Sequence, residues 1–140
     1  MATAGYSGTP LPKKLGIKEG SRVLVMGAPS TFDLDELESV AGRKIQAAPS
    51  KAGHDVALIF VRERKKLVAA FKKVAAALDE AGGLWIAWPK KSSGLATDIT
   101  EDCLREDLLP TGYVDNKVCA IDETWSGLRF VLRKENRRKR

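Results

Sequence analysis

Six consecutive residues, Val56-Ala57-Leu58-Ile59-Phe60-Val61, contain no polar side chain. A strand with one wetted face alternates apolar and polar residues, so an unbroken apolar run demands burial on both faces. Parallel sheets covered by helices on either side supply that environment. The residues that follow fit it. Residues 63 to 80 carry Leu67, Phe71, Val74, Ala75 and Leu78 as one apolar stripe at helical spacing, and Gly82-Gly83 ends the helix. Leu84 to Trp88 is then a second continuous apolar strand.

The other segments repeat the alternation. Arg22 to Met26 reads as a buried strand stopped by Gly27-Ala28-Pro29. Leu34, Leu37 and Val40 give a short helix over Asp33 to Val40, with Gly42 as its C-cap. Lys44 to Ala48 is a weak strand, ended by Pro49-Ser50-Lys51-Ala52-Gly53. Asp98 with Glu101 three residues on predicts an acidic capping box, opening a helix that runs to about Leu109. Tyr113 to Ile121 and Leu128 to Arg133 read as two strands joined by the hairpin Asp122 to Gly127. Residues 1 to 20 form an N-terminal arm punctuated by Gly5, Gly8, Pro10 and Pro12, from which Leu11, Leu15 and Ile17 can set one apolar turn against the body.

The expected fold class is therefore α/β: a small Rossmann-like three-layer domain over residues 21 to 133. Its sheet is mostly parallel, with the 22–27, 55–61 and 84–88 strands central and an antiparallel C-terminal strand at 128–133. In such a sheet the carboxyl ends of the parallel strands share one rim, where open α/β folds place ligands. That rim gathers Gly27, Pro29, Arg62, Trp88, Lys90, Lys91, Asp98, Asp122 and Trp125. Two tryptophans, a lysine pair and carboxylates together resemble a recognition surface. The alternative is that Trp88 and Trp125 simply seal the top of the core. Trp125 sits in a polar hairpin, so it is expected to be partly exposed.

No cofactor is expected. Nucleotide and methyl-donor sites need glycines after the first strand so that backbone approaches the ligand closely. Here that turn is Gly27-Ala28-Pro29-Ser30-Thr31-Phe32, with one glycine and a proline that lacks an N–H. The next helix opens with Asp33, Asp35, Glu36 and Glu38, which would repel a phosphate. Lys90-Lys91-Ser92-Ser93-Gly94 lacks Walker spacing, and its lysines are expected to pair with Asp98, Glu101 and Asp102 or to be solvated. Lys65, Lys66, Lys72 and Lys73 read as a solvated helix face. His54 has no second histidine to share a metal with, so no metal site is expected. Cys103 and Cys119 show neither metal nor redox spacing and read as buried, reduced thiols of a cytoplasmic protein.

The chain has 140 residues and a net charge of +6, but residues 133 to 140 alone hold six basic and one acidic side chain. The remaining residues hold 18 basic and 17 acidic side chains and are close to neutral. The basicity is a C-terminal tail, placed at 134 to 140 as a unit of the chain. Such a tail either makes weak, nonspecific phosphate contacts with nucleic acid or is a solvated end that aids solubility. Residues 1 to 20 hold no apolar run, so neither a secretory leader nor membrane association is expected.

From Asp55 onward the order of strand, helix, Gly-Gly, strand, helix, strand and antiparallel strand resembles the C-terminal half of class I S-adenosylmethionine-dependent methyltransferases. The N-terminal half is cut down, with room for one short helix, so the domain looks like a truncated methyltransferase fold. More closely, Gly5-Tyr6-Ser7-Gly8-Thr9-Pro10, Lys14-Leu15-Gly16-Ile17, Trp88-Pro89-Lys90-Lys91 and Trp125-Ser126-Gly127-Leu128 resemble the bacterial family called domain of unknown function 3052. That resemblance spans nearly the whole chain and implies a Rossmann-like fold; it brings no catalytic residues.

Two functions fit. One is a non-catalytic, degenerate Rossmann-like module that binds a protein or small ligand at the rim. The other is a divergent methyltransferase-like transferase with an atypical ligand site, whose acid/base group would be Asp98, Asp122 or Glu123.

Overall fold

The computed structural model describes residues 9–137. Its elements are α1 (Leu11–Leu15), β1 (Val23–Met26), α2 (Asp35–Ala41), β2 (His54–Phe60), α3 (Arg64–Ala75), β3 (Leu78–Pro89), α4 (Glu101–Leu108), β4 (Tyr113–Ala120) and β5 (Trp125–Leu132). They build one sheet of order β1-β2-β3-β5-β4. β1, β2 and β3 run parallel, and β5 lies antiparallel between β3 and β4. This is the mostly parallel sheet with an antiparallel C-terminal strand that the sequence predicts, except that β1, expected to be central, ends the strand order and is flanked on its outer side only by a single bridge to Gln46.

The unbroken apolar run of β2 is explained by its two covered faces. Ala57, Ile59 and Val61 enter a core with Leu67, Phe71 and Val74 of α3 and Leu104 and Leu108 of α4. Val56, Leu58 and Phe60 enter a second core with Leu15, Ile17 and Leu37 from the α1–α2 side. β3 divides likewise, with Leu84, Ile86 and Trp88 on the first side and Trp85 and Ala87 on the second. The indole Nε1–H of Trp85 donates to the Leu15 carbonyl at 3.1 Å, tying α1 to the sheet. At the opposite end from the rim, the Arg22 guanidinium grips both Asp55 oxygens, at 3.1 and 2.8 Å.

Several elements differ from the sequence reading. The weak strand at 44–48 contracts to a single parallel bridge between Gln46 and Leu24. Gln46 makes both its backbone bonds to β1, to Val25 N–H and Val23 carbonyl, each at 2.9 Å. Its neighbours Ala47 and Ala48 are exposed, so no burial extends the pairing. α3 stops at Ala75 rather than 80, and Leu78 already belongs to β3, opposite His54. Leu78 still reaches the core of the α3 stripe, now from a strand, so helical spacing marks its burial and misplaces its element. α4 is capped by Thr100, whose hydroxyl accepts the Cys103 amide at 3.1 Å, and Asp98 is no part of that cap. β5 begins at Trp125, three residues early, because Trp125 and Ser126 continue the ladder against Pro89 and Trp88.

Candidate functional site

The strand order turns back between β1, whose chain continues outward to Gln46, and β2, so the crevice at their carboxyl ends is where an open α/β sheet holds a ligand. Gly27 lies there with φ +75°, and a Cβ would stand 2.9 Å from the Phe60 carbonyl oxygen. Glycine is required at this position by both backbone conformation and close approach. Pro29 accepts the Phe32 amide at 2.9 Å in a tight turn. Phe32, Phe60 and Trp125 form an edge-to-face chain across one face of this rim, with centroids 4.9 and 5.0 Å apart. Of the carboxylates that follow, Asp33 accepts the Asp35 amide and Glu38 accepts the Ile45 amide.

Trp125 corrects the sequence reading: it is 6% exposed and packed in the α1–α2 core. Trp88 is 8% exposed on the other side of the sheet. The polar hairpin around Trp125 misled because its neighbours belong to a strand whose alternate residues face inward. Its turn is closed by Asp122, whose Oδ1 accepts the amides of Thr124 and Trp125 at 2.8 and 2.9 Å. Asp98 is likewise engaged. Its Oδ1 accepts the Arg64 amide at 2.7 Å and so satisfies a free N–H at the start of α3, 34 residues away in sequence. Arg62 donates through Nε to the Ala96 carbonyl at 3.1 Å, and its own carbonyl accepts the Thr97 hydroxyl at 2.7 Å. Arg62 and Asp98 therefore stitch the 94–100 segment to the β2–α3 junction.

A groove of about 690 Å³ opens at the carboxyl end of β3, with Trp88, Lys90 and Lys91 on one wall and Thr97, Thr100 and Glu101 on the other. It gathers three of the rim residues named from sequence, Trp88, Lys90 and Lys91. Gly27, Pro29, Arg62, Asp98, Asp122 and Trp125 do not line it. Lys90 is fixed by its amide, which donates to the Thr124 carbonyl at 2.8 Å. Residues 91–93 form a single 3₁₀ turn, closed by the Ser93 hydroxyl donating to the Lys90 carbonyl at 2.6 Å.

Of the two expected settings for these lysines, pairing with Asp98, Glu101 and Asp102 does not occur; Lys91 is exposed and Lys90 half-buried. Glu101 and Asp102 instead pair with Arg105, at 2.6 and 3.7 Å, and Arg105 also holds Asp115 at 3.0 Å. The hydrogen bonds that Arg105 donates to Asp115 and Glu101 raise its pKa. Among the described residues neither Lys90 nor Lys91 forms an ion pair. The groove thus presents two uncommitted cations beside an apolar wall, which suits an anionic group. Sequence reasoning missed Arg105, which takes the acids that would otherwise neutralise the lysines; only the acid–Arg spacing of four along α4 hinted at it.

Cys103 is buried and its sulfur is engaged in the helix cap, Sγ accepting the Thr100 amide at 3.1 Å. Cys119 is half-buried rather than buried, and burial pushes its thiol up. Among the described residues no group of three or more His, Cys, Asp or Glu is placed to hold a metal ion. Nor is any helix among them long and apolar enough to cross a membrane.

No protein-family model matches the sequence, and no curated protein matches it. Solved structures do. A SAM-dependent methyltransferase from Aquifex aeolicus superposes with TM-score 0.61 at 17% identity, over 86% of each chain. The fibrillarin pre-rRNA processing protein of Methanococcus jannaschii gives 0.61 at 15%, over 91% of this chain and 70% of that one. Magnesium protoporphyrin IX methyltransferase from Synechocystis, solved with bound SAM, gives 0.59 at 12%, over 88% and 74%. At these identities the likeness is one of fold. The chain has a methyltransferase-like fold.

Proposed function

We propose that this chain is a non-catalytic, degenerate module of the methyltransferase-like fold that binds a small anionic ligand at its carboxyl rim, in the groove at the end of β3. The observation that carries this is the pair Lys90 and Lys91, without ion-pair partners among the described residues, at the mouth of a groove walled by Trp88. The first-strand turn supports the same reading, because its single glycine is pressed against the Phe60 carbonyl and its proline lacks a donor. Two of the three carboxylates suited to acid/base chemistry, Asp98 and Asp122, already accept backbone amides. Only Glu123 stands apart from such bonds.

The likeness to solved methyltransferases, one of them holding SAM, favours a second reading: a divergent methyltransferase-like transferase with an atypical ligand site. Glu123 would then be its acid/base group. In either case the residues quoted above support membership of the family called domain of unknown function 3052. The two free cysteines fit a reducing, cytoplasmic setting.

Native mass spectrometry of the chain purified from its own cell, together with titration calorimetry, separates the readings. The module should retain a small anion that the double variant Lys90→Ala/Lys91→Ala releases. It should bind S-adenosylmethionine no tighter than about 1 mM, roughly −4 kcal/mol. Micromolar S-adenosylmethionine binding would establish the transferase reading instead. A ligand retained equally by the double variant would remove the groove as its site.

A further inference from the structure

His54 opens β2 with a fully buried ring whose hydrogen bonding is half complete. Nε2 accepts the Ser50 amide at 3.1 Å, and Nδ1 has no partner among the described residues. The backbone of His54 is fixed: its amide donates to the Ala77 carbonyl at 2.8 Å, and it stands opposite Leu78 of β3. The turn that the ring holds is less secure. Residues 49–53 close on themselves through the Gly53 amide, which donates to the Ser50 carbonyl at 3.1 Å. Among the described residues two side chains tie this turn to the body: the His54 ring, and Arg22, whose Nη1 donates to the Ala52 carbonyl. Lys51 and Ala52 are exposed, as are Ala47 and Ala48 before them, so little apolar burial holds the turn down.

We propose that residues 49–53 are an acid-released latch: a proton on the His54 ring turns Nε2 from acceptor to donor, the Ser50 amide loses its partner, and the turn swings off the amino-terminal end of the sheet. A protonated imidazole donates through both nitrogens, so Nε2–H and the Ser50 N–H would face each other with nothing to accept either. With the turn closed, the ring would be a buried charge with two unmatched donors, whereas opening gives it water. The neighbouring charges do not rescue it. Asp55 is the adjacent carboxylate, and Arg22 already takes both its oxygens. Burial and Arg22 oppose the proton more than Asp55 favours it. Farther out, Lys51 of the turn, Lys73 of α3 and Asp79 of β3 line a cavity of about 490 Å³ of which the turn is one wall. Release of the turn therefore opens this cavity to solvent.

Amide hydrogen exchange on the full chain tests the latch. Once solvated, the ring titrates near its unfolded value of about 6.5, so the opening equilibrium should be about tenfold larger at about pH 5.5 than at about pH 7.5. Protection of the Ser50 and Gly53 amides, corrected for intrinsic exchange, should fall by that factor. At about pH 7.5 both should already be at least about tenfold less protected than Leu58 in the middle of β2, because the turn opens locally. His54→Gln, whose side-chain oxygen can accept the Ser50 amide but cannot titrate, should give equal Ser50 protection at the two pH values. If that variant fails to fold, the comparison of Ser50 with Leu58 and the pH ratio in the unaltered chain carry the test. Ser50 protection equal to that of Leu58, protection independent of pH, or a pH-dependent fall that persists in His54→Gln would overturn the proposal.

Discussion

The Trp125 ring meets the Phe60 ring edge-on, with centroids 5.0 Å apart and planes inclined at 84°. Such pairs are favourable beyond the area they bury, and Trp125 is only 6% exposed. Trp125→Ala should therefore cost about 3 to 5 kcal/mol, as large a loss as Trp85→Ala within β3. Denaturant melts of the two variants compare them directly. A loss below about 2 kcal/mol would mean that Trp125 seals little and belongs to a binding surface after all.

Gly27 is the position at the rim least able to accept a side chain. Its φ of +75° disfavours any L-residue, and the new Cβ would meet backbone, the Phe60 carbonyl, which cannot swing away. Gly27→Ala should destabilise by more than about 1 to 3 kcal/mol, the usual strain at such a conformation, because the clash adds to it. Gly94→Ala is the control, since its φ is +79° but open space surrounds it. Equal thermal shifts in the two variants would show that the approach of β1 to β2 contributes nothing.

His54 makes stability depend on pH near neutrality. It is fully buried, its Nε2 accepts the Ser50 amide at 3.1 Å, and its Nδ1 has no partner among the described residues. The neutral ring therefore carries its proton on Nδ1. Burial, with Arg22 adding to it, lowers its pKa. Below the unfolded value of about 6.5 the unfolded chain binds a proton that the folded chain does not, so stability is whole above that pH and falls below it. His54→Gln should flatten the denaturant midpoint between about pH 7 and about pH 5. An unchanged pH slope in that variant would place the titrating group elsewhere.

Nucleic-acid contact, where it occurs, should depend on the C-terminal basic residues. Residues 134 to 140 hold five basic and one acidic side chain, and without them the net charge falls from +6 to +2. Truncation after Arg133 keeps the bond from the Arg133 amide to the Gly112 carbonyl, so the sheet end is preserved. The part of this tail that is described is docked: Arg137 Nε donates to the Leu132 carbonyl at 3.0 Å and Asn136 to the Gly112 carbonyl at 3.1 Å. Binding of a nonspecific duplex should weaken steeply with salt and vanish in the truncated chain. Salt-insensitive binding by the truncated chain would assign recognition to the body.

Local pattern was enough for the sheet's centre. The six apolar residues from Val56, the second run from Leu84, and the α3 stripe each state how many faces are buried, and burial of both faces leaves few architectures. The motif order of the C-terminal half was legible for the same reason, and so was the position of Lys90 and Lys91 at a strand's carboxyl end. Tertiary structure alone decided the rest. Helical and strand periodicities coincide over a few residues, so Leu78 is buried on either reading, and only its pairing with His54 makes it a strand residue. In sequence Asp98 reads as the cap of the helix that follows it and Asp122 as an acid of a hairpin turn, yet Asp98 accepts an amide of a different helix, 34 residues away, and loop geometry sets the amides that Asp122 accepts. Arg129 and Gly83 are 46 positions apart, and no local signal links them; sheet pairing lays one across the other. Short-range pattern reports burial, whereas partnership between polar groups depends on which distant backbone the fold brings within hydrogen-bond reach.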